Sequence, residues 1–185
     1  MNNMEKKHVY LVYSIATLIL LPLFILVGPF LFQGILFDDK TIWLLQESTD
    51  TYWLYAVSGV LLALFFFLAF LFVKYAKWLV GVGVIAALFF FTLGTFSYQA
   101  LGSESISWSA TGTFQTNHYS WDEVQEVVLV LPKKGEKHLM VFHFNDGNRL
   151  SMVRDHKFTL QLYQFNRARW EYDFPYNVDR TNQFN

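Results

Sequence analysis

Charged residues and histidine vanish from positions 9–37, a run of 29 residues. A helix rises about 1.5 Å per residue, so about 20 apolar residues cross the hydrocarbon core of a bilayer. The run predicts one tilted span, or a span with a short interfacial extension, over about residues 9–33. Pro22 and the pair Gly28-Pro29 are expected to kink or end it, because proline removes a backbone donor. A cleaved secretion signal would show an apolar stretch of about 7–15 residues and a small-residue cleavage site. Neither pattern is there, so a retained anchor is expected.

Two further apolar blocks follow, at 54–73 and 79–97, with the runs Leu64-Phe65-Phe66-Phe67-Leu68 and Leu88-Phe89-Phe90-Phe91. Only Lys74-Tyr75-Ala76-Lys77-Trp78 separates them, which predicts a tight antiparallel hairpin of helices. Tyr52, Trp53, Tyr55, Tyr75, Trp78 and Tyr98 fall near the span ends, where aromatic belts belong. Gly59 with Ala63, and Gly83 with Ala87, place small residues four apart; such pairs let helices approach closely. The same spacing also arises by chance in spans tolerant of glycine and alanine. No span carries an ionisable residue in its interior, and Gln33, near an end, is the most polar inner side chain. Ion paths and proton relays need such groups, which argues against a transporter, pump or intramembrane protease.

From residue 98 the pattern changes to period-2 alternation broken by turn residues. Residues 105–109 read as a strand, and Gly112 with the polar stretch 115–118 as a turn or a second short strand. Ser120-Trp121-Asp122-Glu123 fits a capping box, in which Ser120 and Glu123 satisfy free amides. Strands are predicted at 124–131, 137–144 and 149–153. Pro132-Lys133-Lys134-Gly135 is a turn, and Asn145-Asp146-Gly147-Asn148 is a hairpin turn in which Gly147 tolerates positive φ. Phe158, Leu162 and Phe165 then recur at helical spacing through Arg169, with Asp155 as the cap. The expected fold is three transmembrane helices in residues 1–97, then a small, mostly antiparallel α+β domain with a closing helix over 98–176. Residues 177–185 read as a loose polar tail.

Charge and composition narrow the partners. The formal net charge of −1 over 185 residues leaves no basic footprint for nucleic acid. The absence of cysteine excludes disulfides, thiolate metal sites and a cysteine nucleophile. Lys6, Lys7, Lys74 and Lys77 stand against Lys40 alone in the acidic first loop, and the next basic residue after the third span is Lys133. The positive-inside rule then places the N-terminus in the cytoplasm and the C-terminal domain outside the cell membrane.

Candidate chemistry is sparse. His138 and His143, five apart on one strand, point to opposite faces and cannot share an ion. His118 and Asp122 are four apart, but a zinc site wants three or four converging ligands. His156 sits alone, and surface or capping histidines are the ordinary reading of all four. Ser120 has no glycine elbow, and its capping role explains it. No glycine-rich phosphate loop occurs. No catalytic, cofactor or metal residue is therefore assigned. Lys133, Lys134 and Lys137, diluted by Glu136, are the one candidate interaction surface, a contact for anionic headgroups or simply a solvated turn. Trp121 reads as a core anchor of the sheet.

Glu104 with Ile106, Trp121-Asp122-Glu123-Val124, Asp146-Gly147 and the helix near Phe158 to Arg169 occur in an order that resembles the bacterial pleckstrin-homology-like domains attached to membrane spans. The resemblance covers about residues 99–172. It implies an interaction surface without catalytic residues or cofactors, hence an adaptor or regulator; many such domains are cytoplasmic, whereas the lysine pattern points outward. The expected function is a non-enzymatic multi-pass membrane protein that binds or regulates another membrane or envelope protein, as an accessory subunit or a toxin-immunity protein. The alternatives are an envelope enzyme with a metal on His118, Asp122 and a third ligand, or a ligand-sensing subunit.

Overall fold

The computed structural model describes residues 3–37, 39–48, 51–131 and 137–180. The predicted turn at Pro132 to Gly135, with Lys133 and Lys134, and the end of the tail lie outside them. The chain forms two compact units, one of residues 1–38, 47–98 and 109–115, the other of 39–46, 99–108 and 116–185.

The first unit contains α1 (Asn3–Leu36), α2 (Thr51–Leu71) and α3 (Ala76–Thr95), with a 3-10 turn at Val73–Tyr75 between the last two. Stretches Lys7–Leu36, Thr51–Leu71 and Val73–Thr95 are each long and apolar enough to cross a membrane. Neither proline ends α1; Pro22 and Pro29 both lie inside a continuous helix of 34 residues. Each proline removes one donor, and with two turns between them the backbone ladder resumes after each.

Small residues set the helix spacing. A Cβ on Gly59 would lie 2.2 Å from Leu21 Cδ1 of α1, and one on Gly83 2.4 Å from Phe65 Cβ of α2. Both glycines therefore sit where neighbouring helices touch backbone, the close approach that such residues permit. Hydroxyls cross the same seams: Ser14 Oγ donates to Ala63 O (2.9 Å) and Ser58 Oγ to Ala87 O (2.8 Å). Gln33 is buried, and its Nε2 donates to the carbonyls of Gly94, Thr95 and Ser97 at 3.3, 3.2 and 3.1 Å. Gly94 O also accepts from Ser97 N (3.2 Å) and Ser97 O from Thr51 Oγ1 (2.9 Å), so among the described residues Thr95 O is the one that the end of α3 leaves to Gln33.

The second unit is built on two four-stranded sheets. Its strands are β1 (Ile42–Glu47), β2 (Tyr98–Gly102), β3 (Ser105–Ser109), β4 (Thr116–Ser120), β5 (Val124–Val130), β6 (Leu139–Phe144), β7 (Arg149–Val153) and β8 (Tyr176–Asp179). The first sheet has the order β1-β2-β3-β4 and the second β7-β6-β5-β8. Neighbours β2–β3, β5–β6 and β6–β7 are antiparallel, while β8 runs parallel to β5. Helices α4 (His156–Leu160) and α5 (Leu162–Tyr172) replace the single helix expected after Asp155, with the break at Gln161. Asp155 caps α4 by accepting from Phe158 N at 2.8 Å.

Alternation on β6 buries Met140, Phe142 and Phe144 completely, and with Trp121, Ile106, Leu101, Met152, Phe158 and Phe165 they form one core. Three strands depart from the sequence reading: β2, which precedes the first strand expected at 105–109, and also β1 and β8. The acidic loop between the first two spans supplies β1, whose Leu44 and Gln46 are buried; Gln46 Nε2 donates to Val153 O and Asp155 Oδ1. The supposed tail from Asn177 is the body of β8, paired to Val128–Val130. Its Asn177 and Val178 are exposed, so backbone pairing rather than an apolar face holds it, and no alternation marks it.

Candidate functional site

The site is built at the β2–β3 turn end of the first sheet. Gly102 ends β2, and its carbonyl receives the indole N–H of Trp43 from β1 at 2.8 Å and that of Trp121 at 3.0 Å. Trp121 is fully buried, as its reading as a core anchor requires, and the half-buried Trp43 ring lies over it. Helix α5 turns Phe165 and Ala168 to the core, which leaves Gln164, Arg167 and Glu171 along one flank. Between that flank, the turn residues Ser103–Ser105 and the outward side chains His118 and Ser120 of β4 lies an open groove of about 550 Å³.

Its lining is polar and largely unspent. Among the described residues, the side chains of Glu104, Ser105, His118, Gln164 and Tyr172 have no hydrogen-bond partner; Arg167 Nε and Glu171 Oε2 are 3.8 Å apart. Both members of that pair are well exposed, where such an interaction contributes little. On the outer face of α5, Tyr163 and Trp170 stand two turns apart, 75% and 82% exposed.

The other sequence candidates are structural or scattered. Ser120 begins the 3-10 turn Trp121–Glu123, and its backbone N–H donates to Glu123 Oε2 at 2.8 Å, the return half of the capping box. Gly147 adopts φ +87° in the β6–β7 turn. Beside it, Tyr119 Oη donates to Asp146 Oδ2 at 2.5 Å, while Asn148 Nδ2 donates to both (2.6 and 2.9 Å). The bond from Tyr119 holds the Asp146 carboxyl below its ordinary range, and the same bond raises the phenol of Tyr119. His138 and His156 are exposed and His143 half-buried on β6, while Lys137 is exposed next to that strand. The Asp122 carboxylate accepts from the Ser120 hydroxyl. Among the described residues, no three His, Asp or Glu side chains are grouped to hold a metal ion.

The groove and the α5 aromatics escaped the sequence reading. A helical wheel of α5 carries the one signal of the aromatics, since Tyr163 and Trp170 fall off the apolar face defined by Leu162, Phe165 and Ala168. Comparison with family models, curated proteins and solved structures found no match to this chain.

Proposed function

We propose that the chain is a non-enzymatic multi-pass membrane protein whose second unit is a pleckstrin-homology-like module that binds or regulates another membrane or envelope protein. Two four-stranded sheets, with α4 and α5 between β7 and β8, support the domain type. The observation that carries the reading is the outer face of α5. Tryptophan and tyrosine dominate the energetic centres of protein interfaces. A Trp170 that is 82% exposed, with Tyr163 beside it, has no role in this domain's own core.

An extracytoplasmic domain follows from the lysine distribution. Pairing of β1 with β2 requires that α2 and α3 together return the chain to the side on which β1 lies, and this holds for either orientation. A cysteine at the exposed Asn145, in a chain with none of its own, reports sidedness by labelling intact cells with an impermeant thiol reagent. Labelling only after permeabilisation would reverse the orientation.

Co-purification from gently solubilised membranes tests the function. A stoichiometric partner should accompany the native chain and be lost with Trp170→Ala or Tyr163→Ala, while the melting temperature holds. Recovery of the chain alone, or a partner indifferent to both substitutions, would overturn the reading.

A further inference from the structure

The groove calls for a ligand unlike the one an exposed aromatic face would take. It offers acceptors (Glu104, Glu171), donors (Arg167) and groups that do both (Gln164, Ser105, His118), all on one open surface of about 550 Å³. That volume is in the range of small-molecule sites. Two carboxylates oppose an anion and the Arg167 guanidinium opposes a cation, so neither sign of charge is served. A hydroxyl, by contrast, both donates and accepts, and a ligand carrying many of them uses every group present. Trp43 adds a flat apolar face, held parallel to Trp121 at an interplanar angle of 8° and fixed by its own hydrogen bond. Sugar rings present one face of C–H groups and a rim of hydroxyls, the complement of such a lining.

An extended peptide fits less well. It binds by adding backbone hydrogen bonds along a strand edge. This groove is lined by Trp43 of β1, the β2–β3 turn, His118 and Ser120 of β4 and the flank of α5, so side chains of several elements rather than the length of one strand form it. We infer that the groove is a binding site for a neutral oligosaccharide, with Trp43 as the stacking platform and Glu104, Arg167 and Glu171 as the hydroxyl-binding groups.

The whole chain, purified in a polyoxyethylene detergent because glycoside detergents carry competing sugar, is titrated with an N-acetylglucosamine trimer, with maltotriose and with trialanine. Tryptophan fluorescence and melting temperature are followed. At least one trisaccharide should bind saturably, and Glu104→Gln and Arg167→Ala, both at exposed positions, should each weaken it by about tenfold or more, the worth of a hydrogen bond to a charged group. Preference for the amino sugar points to an envelope glycan, and preference for maltotriose to a free oligosaccharide. Absence of saturable sugar binding, equal binding in both variants, or binding of trialanine alone would overturn the inference. Trp170→Ala should leave sugar binding unchanged, which separates this site from the protein-docking face.

Discussion

Trp43 and Trp121 share one acceptor. Their indole N–H groups converge on the carbonyl of Gly102, and the rings lie 6.4 Å apart with an angle of 8° between them. Seventy-eight positions of sequence, including two membrane-length helices, separate them. A residue from the loop between spans thus completes the second unit.

Their substitution should separate two costs. Trp121→Ala removes a fully buried ring stacked on Phe174, and should destabilise by roughly 3–5 kcal/mol. Trp43→Phe keeps a ring over Trp121 and deletes one hydrogen bond, for a loss of about 1 kcal/mol. Denaturant unfolding in detergent, followed by tryptophan emission, reads both.

Glycine substitutions in the spans should divide by neighbour. Gly59→Val and Gly83→Val put carbon into Leu21 and Phe65 and should cost roughly 1–3 kcal/mol through overpacking. Gly34→Ala and Gly81→Ala meet no atom within 4 Å, and should be neutral or mildly stabilising because alanine favours helix. Helical circular dichroism during titration with a denaturing detergent distinguishes the two pairs.

Removing Gln33 should loosen the end of α3. Gln33→Leu leaves Thr95 O unserved, while Gly94 O keeps Ser97 N and Ser97 O keeps the Thr51 hydroxyl, at a cost of roughly 1–3 kcal/mol. The Gln33 Oε1 is buried and has no hydrogen-bond partner among the described residues, which offsets part of that loss. Faster amide exchange at residues 94–98 is the direct reading; unchanged exchange would contradict the capping role.

The Tyr119–Asp146 bond carries a pH signature. The folded-state pKa of Asp146 is depressed, so its contribution is present above the ordinary carboxylate range and is lost as pH falls through the lowered value. The folded-state pKa of Tyr119 is raised, so its contribution is complete below the ordinary phenol value and fades as pH climbs through the raised one. Tyr119→Phe should return Asp146 upward, measured by carboxyl NMR titration.

Much of the fold is local and was readable. Alternation located β3 and β6, β-branched density located β5, Asn145 to Asn148 marked the hairpin that pairs β7 back, and Asp155 marked the start of a helix. Neither Pro22 nor Pro29 ends α1, because the turns on either side of each carry the helix through. The groove left no trace, since Glu104, His118 and Gln164 look like ordinary surface residues until strands and helix bring them to one place.

Local pattern alone specifies three apolar helices, the alternating strands and the turn and cap residues, because each depends on neighbours within a few positions. Long-range packing made strands of Ile42–Glu47, Tyr98–Gly102 and Tyr176–Asp179, set Gln33 at the end of α3, and stood Trp43 over Trp121. Those outcomes rest on hydrogen bonds to distant backbone, and a partner tens of residues away leaves no periodicity in the segment that finds it.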